Sequence, residues 1–142
     1  MAIGATFAND LLKGVFQGNN IPNLLDNAAS PITTLFVALH TADPSAGNQN
    51  TSEVAYTGYN RVGVARTSVG WTVTGANCTN NNNVAFPACA GGSNTAAYVS
   101  IGKNNTGTGG EIYYSGALAA NLSISTGVTP QFNAGNLTTT LS

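Results

Sequence analysis

Thr34–Pro44 reads TLFVALHTADP, a dense apolar run that stops abruptly at turn-forming residues. Leu35, Val37 and Leu39 alternate with Phe36, Ala38 and His40, so both faces of a strand here are mostly apolar. That pattern predicts a strand lying centrally in a sheet. The segments that follow read as further short strands closing over it: 53–59, 61–67, Trp71 and Val73 with Ala76, 84–86, 97–102, 111–118, 122–125, Gln131 with Phe132, and 137–141. Gly or Asn signals separate them at roughly ten-residue spacing, giving about eight or nine strands, the pattern of a β-sandwich, here of jelly-roll type. The four consecutive Asn residues 80–83 read as a tight polar turn.

Upstream of the central strand, Thr6–Phe16 places Phe7, Leu11, Leu12, Val15 and Phe16 at helical spacing, with Thr6 or Asn9 as N-cap and Gly18 as the stop. A helix this short is marginal in isolation, so it needs a surface to dock on, in its own sheet or in a neighbouring subunit. Residues 19–31 form a loop broken by Pro22 and Pro31, with Ile21, Leu24 and Leu25 to pack it. Residues 42–52 and 103–110 are polar surface loops. The expected organisation is one all-β domain over 1–142, with a helical arm at 1–18 and the sandwich over 32–142.

Composition narrows the function. Charged residues make up 6% of the 142 residues and the formal net charge is −1, against roughly 25% charged in an ordinary soluble domain. Lys13, Arg61, Arg66 and Lys103 are too few and too scattered to neutralise a phosphate backbone or an anionic bilayer, which argues against nucleic-acid and membrane partners. A hydrophobic fraction of 42% argues against disorder. The N-terminus shows no secretory pattern, so folding in a cytoplasm is expected. A neutral Asn, Thr, Ser, Gly and Ala surface has little protection against self-association, which suggests burial in a larger assembly. Cys78 and Cys89 can bridge a loop, but free buried thiols are the expected state in a reducing compartment.

No catalytic, cofactor or metal site emerges. His40 with Asp43 has the residue types of a triad or a metal pair, but the pair sits at a strand end and turn, no G-x-S-x-G elbow is present, and Glu53 and Glu111 are remote in sequence. Gly107, Gly109 and Gly110 precede a strand-like segment rather than a helix, so they do not form a phosphate cradle. Asn50, Asn77, Asn104, Asn121 and Asn136 fit a glycosylation triplet by composition alone. Trp71, Tyr98, Tyr113 and Tyr114 are either core or a sugar-stacking platform.

The series LHTADP, GYNRVGV, GWTV, SGAL and GVTPQFNAGNLT resembles a family of small structural proteins of tailed bacteriophages, described as tail-fibre or minor structural proteins, some of which resemble capsid cement or decoration proteins. The resemblance covers nearly the whole chain. It implies a compact all-β virion component without catalytic or cofactor residues, assembled in the host cytoplasm. The expected role is capsid cement or decoration on the major capsid protein, because the chain ends after its last predicted strand with no repetitive shaft. The alternative is a tail-fibre or appendage component that contacts host-surface glycans. A homo-oligomer is expected, with contacts from Phe7, Leu11, Leu12, Val15 and Phe16 of the helix and from Asn48, Gln49, Asn50, Lys103, Asn104 and Asn105 of the loops.

Overall fold

The computed structural model describes residues 5–20, 31–107 and 110–141, without the side chains of Ala5 and Phe7. The expected packing residues Ile21, Leu24 and Leu25, the side chain of Phe7, and Gly109 therefore lie outside the described residues. Among the described residues one helix, α1 (Ala5–Gln17), precedes nine strands: β1 (Thr34–His40), β2 (Val62–Ala65), β3 (Trp71–Thr74), β4 (Asn77–Asn80), β5 (Val84–Ala85), β6 (Ser93–Gly102), β7 (Ile112–Ser125), β8 (Gln131–Phe132) and β9 (Thr138–Thr140). They form sheets ordered β2-β1-β6-β7, β3-β4-β9 and β5-β8. The class is all-β with one helix, as the sequence predicts.

Contacts group the chain into two compact units, one of residues 35–64 and 84–131, the other of residues up to 34, 65–83 and 132–142. In the first, β1 lies inside its sheet between β2 and β6. It runs antiparallel to β6, from Phe36 opposite Gly102 to His40 opposite Tyr98. Leu35, Val37, Ala38, Leu39 and His40 are all at most 1% exposed, which is the physical meaning of the two-sided apolar run. Full burial of each Leu or Val contributes about 1.5–3 kcal/mol before packing differences.

The predicted strand at 53–59 is replaced by two isolated bridges, His40 to Glu53 and Thr57 to Gly91. Gly58, at φ 95°, turns the backbone just after the second bridge, and Tyr59 N–H closes on the Tyr56 carbonyl at 3.0 Å. The segments 111–118 and 122–125, expected as separate strands, are one strand of 14 residues, β7. Its pairing with β6 is interrupted: between the pairs Ala96–Leu122 and Tyr98–Ala117, Ala97 alone stands opposite Leu118 to Asn121. This is an enlarged, four-against-one bulge in an edge strand.

In the second unit, α1 packs on β3 and β4. Ala8, Leu12 and Phe16 form the buried stripe, and the Phe16 ring lies 4.7 Å from that of Trp71. The side chain of Asn9 donates to the Gly75 carbonyl at 3.0 Å and that of Gln17 to the Trp71 carbonyl at 3.2 Å. Gly18 ends the helix at φ 73°, as predicted. The carbonyls freed there are taken by Arg66, whose guanidinium donates to Val15 at 2.6 Å, to Gly14, and to Ile32 at 3.0 Å. A cation on these carbonyls satisfies orphan acceptors and opposes the negative end of the helix dipole. The surface that α1 needs is thus supplied by its own chain.

The strand expected over Trp71, Val73 and Ala76 turns back at Gly75–Ala76, and β4 pairs with β3 from Asn77 opposite Thr74 to Asn80 opposite Trp71. Asn80 closes β4 and is 1% exposed. Its Nδ2 donates to the Asn82 and Asn133 carbonyls at 2.8 and 3.0 Å, and its Oδ1 accepts from Leu137 N–H at 2.9 Å. The Asn run therefore begins as an internal staple, and only its later members form a turn.

Candidate assembly surface

Among the described residues no group of three or more His, Cys, Asp or Glu side chains is arranged to hold a metal ion. His40 donates from Nδ1 to the Thr51 carbonyl at 2.9 Å, because a carbonyl can only accept; Nε2 then accepts from Ser100 Oγ at 2.8 Å. Burial pushes the His40 pKa down. The ring is a neutral strut, with a carbonyl rather than a carboxylate behind it, and both His40 and Ser100 are shielded from solvent. Asp43 instead accepts from Ser45 N–H at 2.9 Å in a local turn, and this bond holds its carboxyl below its usual value. The two residues that invited a triad serve separate structural jobs.

The loops expected to make contacts are brought together by a buried polar lock. Gln49 is 0% exposed. Its Nε2 donates to the Phe36 carbonyl at 3.0 Å, its Oε1 accepts from Asn104 N–H at 3.1 Å, and its backbone N–H donates to the Gly110 carbonyl at 2.9 Å. Arg61 reaches the same loop, donating to the Asn104 carbonyl at 2.9 Å. Its Nε and Nη2 grip the Glu53 carboxylate at 2.7 and 2.8 Å. Tyr59 O–H also donates to Glu53, at 2.9 Å, and accepts from Leu39 N–H at 3.1 Å. Backbone approaches so closely here that a Cβ on Gly102 would lie 2.4 Å from the Gln49 side chain and from the Glu111 carbonyl oxygen.

This geometry redistributes the expected contact residues. Gln49 offers no surface, because burying its amide is what joins the two loops; that expectation is corrected. Asn50, Lys103 and Asn105 are exposed, and Asn48 and Asn104 half-buried, around the lock. On α1, Leu12 and Phe16 are core residues of their own unit, a second correction, whereas Leu11 and Val15 are half-buried. Trp71 is 0% exposed and cannot stack on a ligand from solution. Tyr98, Tyr113 and Tyr114 are half-buried. Cys78 and Cys89 are free buried thiols, and burial pushes Cys78 up to about 12.

The features left at the surface include polar, sparsely charged loop tips hydrogen-bonded from behind and the edge strand β7. A family model described as podophage GP4 fiber I protein gp80 matches residues 2–140. The chain belongs to this fibre family. Membership makes it a structural component of a phage virion that works in contact with other virion proteins. The lean towards a capsid shell has no support in the match, which favours the fibre reading. Among curated proteins the fibre-family chain has no match. Sequence reasoning missed Gln49 and Asn80 as organisers. The available signal was the spacing of Glu53, Tyr59 and Arg61 in a chain so poor in charge.

Proposed function

We propose that the chain is a non-enzymatic component of a phage tail fibre, assembled as a homo-oligomer in the host cytoplasm and joined to neighbouring virion proteins through its polar, sparsely charged loop tips. The observation that carries this reading is the fibre-family match over residues 2–140. The structure supports it in kind: the polar lock presents Asn48, Asn50, Lys103 and Asn105 on a preorganised base, which lowers the entropy cost of contact. Repetition around a fibre then converts modest contacts into firm retention. Two free buried thiols agree with folding in a reducing compartment. Contact with host-surface glycans is the finer role left for the half-buried tyrosines, since Trp71 is enclosed.

Electron microscopy of virions labelled with antibody against the chain tests this. Gold at the tail is the expected result, and gold spread over the head surface would overturn it.

A further inference from the structure

β7 is the long outer edge of the four-stranded sheet, and the opposite edge, β2, is only 4 residues long. Long free edges invite other strands, and proteins usually blunt them with charge, Pro or brevity. Over its 14 residues, IYYSGALAANLSIS, β7 carries no charged residue and no Pro. Its inner side pairs with β6, and from Ser115 to Ile124 no backbone hydrogen bond reaches its outer side among the described residues.

Gly116 stands in the middle of this edge opposite Val99. A glycine inside a strand weakens it and commonly marks close approach by another backbone. Among the described residues nothing demands one here, because a Cβ on Gly116 would meet no atom within 4 Å. Gly102 is the contrast, since a side chain there would collide with Gln49 and the Glu111 carbonyl. Ser115 and Ala117 beside Gly116 are exposed and equally small.

The geometry points to β7 as a strand-addition seam for a second copy of this chain, paired antiparallel about Gly116. The complement of a strand edge is another strand. An uncharged edge meets its own copy without like-charge repulsion, and an antiparallel pair about a two-fold axis sets Ser115 of each copy opposite Ala117 of the other. With glycine at the axis the two backbones approach at the short spacing of a non-hydrogen-bonded pair. By the two-fold, the Leu118–Asn121 bulge of each copy ends the seam at both ends, which keeps it short and fixes its register about Gly116. This inference rests on the homo-oligomer reading above.

The test is sedimentation velocity and thermal melting of the full chain and of Gly116→Val and Ala117→Lys. Wild type is expected to self-associate with rising concentration. Both variants are expected to lose about tenfold or more in association. Melted at a concentration low enough that every form is monomeric, so that lost association does not itself lower the transition, Gly116→Val is expected to melt at the same or a higher temperature, because valine favours a strand where space is open. A wild type that stays monomeric, variants that associate like wild type, or variants that lose association only together with a lower melting temperature would each overturn the seam. The antibody result is independent: label on the tail with insensitive association removes the seam alone, and label on the head removes the fibre reading alone.

Discussion

Two buried polar centres hold loops in place by different chemistry. At Glu53–Arg61, with Gln49 and Tyr59, the holding groups include a bidentate ion pair whose side chains are 3% and 14% exposed. At Asn80 one neutral carboxamide does a similar job, tying Asn82, Asn133 and Leu137. Removing one member of a buried ion pair strands a charge, whereas removing the amide strands only neutral groups. The two centres should therefore fail by different amounts and respond differently to acid.

The largest effect is expected from Arg61→Ala. It leaves the Glu53 carboxylate enclosed and frees the Asn104 carbonyl, for a loss of about 3–5 kcal/mol in urea unfolding. Asn80→Ala is expected to cost about 1–3 kcal/mol, from Leu137 N–H and the two carbonyls it abandons. If the two variants unfolded at the same urea concentration, the contrast between the centres would be lost. Arg66→Ala uncaps α1 and is expected to cost about 1–2 kcal/mol, with a reduced helical signal in far-ultraviolet circular dichroism.

Acid sharpens the contrast with the smallest change. The folded His40 pKa is lowered by burial, next to the opposing charges of Glu53 and Arg61. The unfolded chain therefore takes up a proton first. Stability is unaffected above the ordinary histidine value of about 6.5 and falls as pH drops below it, until the folded ring itself titrates. His40→Asn is expected to flatten that slope. In hydrogen exchange, amides beside the ion pair, such as those of Val54 and Asn104, should lose protection as pH falls below about 6.5, while Leu137 at Asn80 should not, once intrinsic exchange rates are corrected.

What was legible in the sequence follows from locality. The two-sided apolar run of β1, the alternation in β3 and β6 and the glycine stop of α1 are written in neighbouring residues, and the structure has them. Gln49 and Asn80 were read as surface because nothing beside them is apolar. Their burial depends on carbonyls and N–H groups brought from residues 36, 104, 133 and 137, which no local pattern reveals. β7 looked like two strands because ALAAN breaks alternation, but the bulge absorbs those residues while pairing resumes beyond it. The helix stripe was legible as apolar, but not which side of it would face its own sheet: Leu12 and Phe16 do, with Trp71. In a chain with 4 cations, two of them, Arg61 and Arg66, are structural clamps. Scarcity of charge was itself a pointer to them.

Whether this member of the fibre family is a tail component is decided by quantitative mass spectrometry of purified virions, detached tails and tail-less expanded shells. The chain is expected in intact particles and in detached tails, and is expected to be missing from tail-less shells. A stoichiometric coat of the chain on tail-less shells would contradict the tail placement.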